Sequence, residues 1–580
     1  MAALAGNIGE RHVLIFMGIP LVGKRTIALR LKRYLRFFHG AKCKAFDIAK
    51  LSGPGSGFTS PLDANAKSSE FFDQLRNFLE STDAEDVSRP NSRRTSATQA
   101  TIQTDGSSPN HGNRVNGIDP NDKMAKNVDS GRVAIVFSSD AMSTFYENWS
   151  GSSKERRRWI LARLATVSNS STHAGRTRIK TIFIEVTLTK KHLEREILQQ
   201  KLERDIRDGA LDRDACEQAE MEWREKVQEY KKLYVTLQED GSEDDLSYIK
   251  LINYGERVLT NRMRAYLPQR IVQFLTATHP TKHTIYLCRH GQSEYNTTGR
   301  LGGNSPLTDQ GWVFAQILGR FAAEHVCKLR EVRGENKGDR ETAHGGVTGV
   351  TRGGGYGLAA TPEDGFSATA WEERGSDDPE GPSVAARLWT SSLTRTIQTA
   401  SLIPHPVIKT PDGGEWESMS PRVYRNIDEI FAGDCEGMTP EEVKVNHPQA
   451  SNLRKMDKIG YRYPRGESYF DLISRLEPCI QEMESYSEPL LIVSHQAILR
   501  CIFAYLTGVD REKAPGMETQ IQQNVVYQID LDASSEGHIT GDPNKLPAFV
   551  TVHDFRREVA ERMLELQEPG GGGGIHMPAA

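Results

Sequence analysis

Two α/β domains in tandem are predicted, and three observations predict them. The chain has 580 residues, too many for one hydrophobic core. Near its start, the apolar run 13–17 is followed by Gly18, Pro20 and Gly23 and then by a leucine- and arginine-rich helical pattern. In its second half, two further apolar runs, 284–288 and 490–494, lead directly into Arg289-His290 and His495-Gln496. Strand, glycine loop and helix is how many α/β domains open. A functional side chain at the carboxyl end of a strand stands where such sheets hold ligands.

Each element follows in order. Residues 13–17 read as a first buried strand and 26–38 as a helix. Residues 83–130 are Ser, Asn, Asp, Thr and Arg with few large apolar groups, the composition of a disordered insertion. Strands are expected at 133–137 and 181–186, and exposed, charge-laced helices at 190–202 and 215–234. The second unit starts with the strand 284–288. Thr308 is a good N-cap for a helix over 309–325. Residues 328–384 are rich in Gly, Arg, Glu, Asp and Thr and read as a flexible insertion. A strand at 387–390, a helix within 464–484 and a strand at 490–494 complete the pattern. The expected units are therefore 1–275 and 282–555, followed by a tail over 556–580 whose end is glycine-rich.

Composition narrows the function classes. The formal net charge is -4 at pH 7 and 37% of residues are hydrophobic, so neither nucleic acid nor an anionic membrane is indicated as a general partner. The run 13–17 is too short to span a bilayer. The 7 cysteines form no CxxC pair, which signals neither a zinc site nor a disulfide framework. A reducing, cytoplasmic setting is expected.

The chemistry concentrates in the second unit. His290 follows a strand and Arg289 adjoins it. A neutral imidazole held in one tautomer can attack phosphorus, and a guanidinium fork can pair with phosphate oxygens. Gly291 is read as leaving room for an oxyanion, and Asn296 and Arg300 as donors. An Arg-His-Gly triplet alone is weak evidence, but the pattern repeats at His495-Gln496, with Arg500 downstream. Arg395 follows the strand 387–390. Asp428-Glu429 supplies a carboxylate able to protonate a leaving oxygen.

The stretches TIYLCRHGQSEYN from Thr284, GRLGGNSPLT from Gly299, WTSSLTRTIQTA from Trp389, DEIFAGDCEGMT from Asp428, YRYPRGESYFDLISRLEP from Tyr461 and SHQAILRCIFAYL from Ser494 carry a specific likeness. This half resembles the histidine phosphatase, or phosphoglycerate mutase-like, superfamily. It is more closely similar to the bisphosphatase domain of the 6-phosphofructo-2-kinase/fructose-2,6-bisphosphatase family. The resemblance implies that His290 carries a phosphohistidine and that Glu429 is the general acid. It implies that Arg289, Asn296, Arg395, His495 and Gln496 hold the 2-phosphate, and Arg454, Lys458, Tyr469 and Arg500 the 6-phosphate. Two positions depart from the pattern: Pro440 replaces a tyrosine of that pocket, and Phe431 replaces an aspartate.

The first half is similar to the 2-kinase domain of the same family. The carriers are GIPLVGK from Gly18, Ala45-Phe46-Asp47, the strand 133–137 and the linker SYIKLINYGERVLTNRM from Ser247. The fold class implied is a P-loop-type parallel-sheet domain followed by a phosphoglycerate mutase-like α/β domain. Gly18, Gly23 and Lys24 would cradle nucleotide phosphates, and Lys201 falls on a substrate lysine of the family. However, Arg25 stands where a P-loop needs a magnesium-binding hydroxyl, with Thr26 one residue late. Ser52 stands at the paired substrate arginines, and Ser138 at the catalytic aspartate, with Asp140 two residues on. The expectation is a phosphatase that sets the level of fructose 2,6-bisphosphate, and hence glycolysis, with an inactive kinase half kept for packing or as a homodimer interface. No cofactor is expected for the phosphatase. ATP is allowed in the first half, and magnesium ATP is argued against by Arg25. Alternatives are a fully bifunctional enzyme, a sugar-phosphate or nucleotide sensor, and a broad phosphomonoesterase. Ser92-Arg93-Arg94-Thr95-Ser96 is an expected phosphorylation segment.

Overall fold

The computed structural model describes residues 11–48, 61–81, 131–138, 152–169, 179–331, 371–372, 383–409, 413–517, 521–532, 535, 539, 542 and 545–567. The expected insertion 83–130, the motif positions Ser52 and Asp140 and the segment 92–96 lie outside the described residues.

The first unit is a six-stranded sheet. Its strands are β1 (Arg11–Met17), β2 (Lys42–Asp47), β3 (Arg132–Phe137), β4 (Ile179–Thr187), β5 (Tyr248–Ile252) and β6 (Arg257–Asn261), in the order β2-β3-β1-β4-β5-β6. All but β6 are parallel. β1 is central, and all seven of its residues are buried, which is why it reads as an unbroken apolar run and not as an alternation. Helices α1 (Lys24–His39), α2 (Pro61–Glu80), α3 (Ser153–Asn169), α4 (Lys191–Arg207), α5 (Cys216–Leu233) and α6 (Tyr266–Ala277) accompany the sheet. The segment expected as a linker forms β5 and β6, so it closes the first sheet before the chain leaves it.

The second unit is also a six-stranded sheet, in the order β13-β10-β14-β7-β15-β16. Its strands are β7 (His283–Arg289), β10 (Arg387–Thr390), β13 (Pro421–Val423), β14 (Leu490–Ser494), β15 (Val525–Leu531) and β16 (Val550–Asp554). β13, β10, β14 and β7 are parallel, and β15 and β16 each run antiparallel to their neighbour. Two small pairs lie apart, β8 (Arg330–Glu331) with β9 (Trp371–Glu372) and β11 (Val407–Lys409) with β12 (Glu415–Glu417). β8 and β9 fall inside the stretch 328–384 expected as a flexible insertion and pair two of its segments. The helices are α7 (Asp309–Phe321), α8 (Thr394–Ala400), α9 (Pro440–Asn446), α10 (Pro448–Met456), α11 (Tyr469–Glu484), α12 (Gln496–Thr507) and α13 (Arg556–Glu565). Thr308 caps α7 by accepting from the Gly311 amide. α13 lies where a tail was expected; Val559 is fully buried and Glu558 pairs with Arg320 of α7.

Register brings the two histidines together. β14 pairs with β7 so that Ser494 lies opposite Arg289, and the His290 amide donates to the Ser494 carbonyl at 3.0 Å. The residues following the two strands therefore emerge side by side.

The two units share one apolar core, which runs from Leu31 and Phe37 of α1 to Leu476 and Tyr505 of α11 and α12. Glu484, fully buried, receives Arg33 at 2.9 Å, Arg30 at 3.5 Å and the Tyr505 hydroxyl at 2.6 Å. Burial alone would raise this carboxyl, but Arg33 and Arg30 hold it at about 2. Tyr34 stacks on Phe274 at 4.2 Å and donates to Glu477 at 2.6 Å.

Candidate active site

The site is built at the carboxyl ends of β7, β10 and β14. His290 is 2% exposed. Its Nδ1 lies 2.7 Å from the Gly291 carbonyl, an acceptor, so Nδ1 carries the proton and donates. Nε2 then carries the lone pair, and Arg395 Nε donates to it at 3.1 Å. Burial pulls the ring well below the ordinary imidazole range, and Arg289 and Arg395 pull it further. The imidazole is thus neutral, in one tautomer, with its lone pair turned to the guanidiniums.

His495 faces His290, with ring centroids 5.1 Å apart. Its Nε2 meets the Ser391 hydroxyl at 2.7 Å, and Ser391 in turn meets Thr396 at 2.8 Å. The opposite nitrogen, Nδ1, is buried without a hydrogen-bond partner among the described residues. Gln496 opens α12, so the amide end of that helix, with its partial positive charge, stands at the same place.

Arg395 is 4% exposed. It starts α8, and its Nη1 is fixed on the Gly303 carbonyl at 2.7 Å. Burial lowers Arg289 to about 10, opposed by the charge of Glu429 and reinforced by Arg500 and Arg395. Three guanidiniums thus share one pocket; the charge of Glu429 is felt by both Arg289 and Arg395, and Glu436 and Asp428 also act on Arg395. Asn296 accepts at its oxygen from the Ser293 amide and from Gln523 Nε2 at 2.7 Å. Its amide nitrogen is left as the donor end.

The expected 6-phosphate residues lie on α10, α11 and α12 and just after α10. Tyr469, buried, is hydrogen-bonded to Arg500, which is 8% exposed and holds Nε without a protein partner among the described residues. The Arg454 guanidinium lies 5.6 Å from the Tyr463 ring centre, and Lys458 follows α10. Pro440 is the first residue of α9 behind a Thr439 capping box, so proline serves the helix start there.

One expectation is corrected. Gly291 does not leave space for an oxyanion: a Cβ there would lie 2.6 Å from the Gly311 carbonyl and 2.9 Å from its Cα. The glycine lets the start of α7 pack against the loop after β7, and its amide is already given to Thr399 at 2.9 Å. Arg300, read as a donor, points to the Gly437 carbonyl and Glu442.

Residues that the sequence does not single out brace the backbone at Glu429. Arg475 reaches the carbonyls of Asp428 at 2.7 Å and Glu429 at 3.2 Å, and is itself held by Glu467 at 2.9 Å. Glu467 also takes the Phe431 amide at 3.0 Å, while the Phe431 side chain is exposed. Asp428 accepts from the Ser392 amide and hydroxyl, each at 2.7 Å. Glu467 and Arg475 sit eight residues apart inside the stretch from Tyr461, a spacing with no local signal.

The loop after β1 is arranged differently. Gly18 (φ 130°) and Gly23 (φ 72°) take left-handed backbone that favours glycine. Lys24 Nζ donates to the carbonyls of its own loop, Gly18 at 3.0 Å and Ile19, and burial lowers it to about 7. The cavity beside the loop holds about 60 Å³. Lys201 lines it, paired with Asp205 at 2.6 Å and lying over Trp223 at 4.8 Å. No helix among the described residues is long and apolar enough to cross a membrane. Among the same residues, no cluster of His, Cys, Asp or Glu is placed to hold a metal.

Known proteins match both halves. The model of the histidine phosphatase superfamily (branch 1) matches residues 285–330 and 378–535, and that of 6-phosphofructo-2-kinase matches 129–282. The 6-phosphofructo-2-kinase/fructose-2,6-bisphosphatase 3 of Rattus norvegicus is 33% identical over 302 residues, 52% of this chain and 42% of its own. The Caenorhabditis elegans 6-phosphofructo-2-kinase/fructose-2,6-bisphosphatase is 32% identical over 351 residues, 58% of this chain and 61% of its own. A fructose-2,6-bisphosphatase of Saccharomyces cerevisiae is 32% identical over 299 residues, 52% of this chain and 50% of its own. The chain thus spans about half the length of the curated relatives it matches. The second unit thus carries a histidine phosphatase match and the first a 2-kinase match, and the chain is similar to 6-phosphofructo-2-kinase/fructose-2,6-bisphosphatases over about half of their length.

Proposed function

We propose that the chain hydrolyses the 2-phosphate of fructose 2,6-bisphosphate, giving fructose 6-phosphate and phosphate, and that its first half does not transfer phosphate. The observation that carries this reading is the state of His290. Its proton is held on Nδ1 by the Gly291 carbonyl, and its Nε2 lone pair lies among Arg289, Arg395 and His495.

The steps follow from the placement. The Arg395 hydrogen bond to Nε2 is exchanged for one to a phosphate oxygen, which frees the lone pair. Nε2 attacks phosphorus as the bond from phosphorus to the sugar 2-oxygen breaks, and Glu429 gives that oxygen its proton. Water then attacks the phosphorus of the phosphohistidine as Glu429 takes a proton from it, the bond from phosphorus to Nε2 breaks, and phosphate leaves with the Nε2 lone pair and the Glu429 proton restored. The guanidiniums, Asn296 and the amide end of α12 meet the charge that accumulates on the phosphoryl oxygens. Arg454, Lys458, Tyr469 and Arg500 suit the 6-phosphate. Pro440 offers no hydroxyl there, which costs about 1 kcal/mol of binding.

Three features support an inactive kinase half. Arg25 replaces the metal hydroxyl, Lys24 is turned onto its own loop, and the adjoining cavity of about 60 Å³ is far below the few hundred Å³ of a small-molecule site. The test is release of phosphate from fructose 2,6-bisphosphate by the full chain and by His290→Ala, with fructose 6-phosphate and ATP offered in the reverse sense. Turnover by the parent, none by the variant and no bisphosphate made from ATP support the reading. A correctly folded parent with no turnover refutes it. A substrate panel in which other phosphomonoesters turn over equally well would replace the sugar bisphosphate with a broad phosphomonoesterase.

A further inference from the structure

A second cavity, of about 350 Å³, lies between the two units and plays no part in the chemistry above. Its walls come from the middle of α1 and from the carboxyl end of α12 with the turn that follows. Four lining residues are cationic, Lys32, Arg33, Arg36 and Arg511, against one carboxylate, Asp510. Asp510 is taken by Arg36, and Glu484 behind the wall is shared by Arg33 and Arg30. Arg33 and Arg511 are held firmly: Arg33 lies over the Tyr505 ring at 4.8 Å, and Arg511, 15% exposed, has its guanidinium 5.4 Å from the Phe470 ring centre and pairs with the exposed Glu512 at 3.0 Å. The positive field reaches neighbouring groups. Burial, with the charges of Arg270 and Arg511, lowers His39 to about 3. Burial raises the Cys43 thiol, while Arg36 and Lys32 pull against it.

We propose that this cavity is a second anion site, one that takes a small organic phosphate. Planar guanidinium forks suit phosphate oxygens in particular. The volume is at the small end of the range for ligand sites, larger than inorganic phosphate needs. Phe37, Tyr505 and Val509 supply apolar wall for the organic part. The site stands apart from the phosphatase pocket: α12 begins there at Gln496 and reaches this cavity about 17 Å further on, at 1.5 Å per residue. A ligand here touches both units at once and clamps α1 against α12.

Phenylphosphonate, which cannot be hydrolysed, is the probe. It is titrated calorimetrically into the full chain carrying Arg289→Ala and Arg395→Ala, which removes phosphate binding at the catalytic pocket. The expected result is saturable binding of one equivalent, weakened at least tenfold by adding Lys32→Glu and again by Arg511→Gln, with benzyl alcohol showing none. Lys32 is only partly buried, so Lys32→Glu decides alone if Arg511→Gln fails to fold by thermal melting. Absence of binding, or binding that Lys32→Glu leaves unchanged, overturns the proposal; the second outcome would place the phosphonate elsewhere, at the loop after β1 or in the phosphatase pocket.

Discussion

The loop that follows β1 and the loop that follows β7 occupy equivalent places in two parallel sheets, yet their cations point in opposite senses. After β1, Lys24 bends back and gives its protons to the Gly18 and Ile19 carbonyls. After β7, Arg289 and Arg395 face a neutral histidine, and the buried polar atoms His495 Nδ1, Arg289 Nε and Arg500 Nε have no protein partner among the described residues. Buried polar groups cost free energy unless they are hydrogen-bonded, so a pocket that keeps several open is one built around an anion. The glycine loop has satisfied its cation internally, and its cavity is small. The loop after a parallel strand therefore carries open buried polar atoms in one unit and an internally satisfied cation in the other, and side-chain satisfaction tells them apart.

The sharpest way to test that contrast is at the nucleophile. His290→Ala is expected to lower phosphatase turnover by about 10,000-fold or more, since no second group replaces a nucleophile. Acid-quenched protein should also lose any phosphate label that the parent retains. The pH profile gives an independent reading. His290 is held well below the ordinary imidazole value by burial and then by Arg289 and Arg395, so its protonation should not appear as a fall in rate between pH 8 and about 6. A limb near 6.5 that disappears in a variant at Arg395 would show the imidazole to be less desolvated than the structure has it.

The next largest effect is expected at the junction between the units. Glu484→Ala leaves Arg30 and Arg33 buried without their carboxylate and should destabilise the chain by about 3–5 kcal/mol, read from urea unfolding. The carboxyl is lowered from 4.5 to about 2 in the folded chain. A group lowered on folding adds stability above its unfolded value and loses it as the pH falls. The parent should therefore lose roughly 3 kcal/mol between about pH 5 and pH 2 through this residue. Glu484→Gln should show a correspondingly flatter dependence. Equal slopes would mean that the pair is solvated and the two units are less firmly joined.

Much of this arrangement was legible in the sequence, and the exceptions share a cause. The strands ending in His290 and His495 stand out because buried parallel strands are continuous apolar runs, and the charges that follow them interrupt those runs abruptly. The role of Gly291 is not legible in the sequence, because only the fold reveals that Gly311 approaches it. The strands β5 and β6 were read as linker because their alternation is broken by Asn253 and Gly255, which shape the turn between them. β15, β16 and α13 were passed over because they complete an edge of the sheet, where half-exposed residues blur the pattern. Arg475, Glu467 and Gln523 act through partners distant in the chain, and no spacing rule announces them.

Arg475 makes a middle-sized test. It holds the Asp428 and Glu429 carbonyls and is fixed by Glu467, so it acts on the acid through the backbone. Arg475→Gln should lower kcat by about 10- to 100-fold, the worth of one or two charge-assisted hydrogen bonds, with KM changed little. A fall in KM-dependent binding alone would instead place Arg475 in substrate contact.

The smallest effect is expected at Gln523. Its Nε2 donates to Asn296 Oδ1 at 2.7 Å, and the Ser293 amide donates to the same oxygen at 3.1 Å. Together they fix which end of the Asn296 amide faces the phosphate pocket. Gln523→Leu leaves the Ser293 bond in place, so Asn296 is loosened and not released. Losing one neutral hydrogen bond costs about 1 kcal/mol, which is roughly a fivefold rise in KM with kcat nearly unchanged. Gln523→Glu makes the stronger discrimination. A carboxylate beside Asn296 Oδ1 repels that oxygen and favours the flipped amide, which turns an acceptor toward the substrate phosphate. It should therefore be worse than leucine, although it keeps the size and polarity of glutamine. If glutamate is as good as glutamine, the orientation of Asn296 is set by Ser293 alone, and the loop before β15 has no part in the phosphatase site.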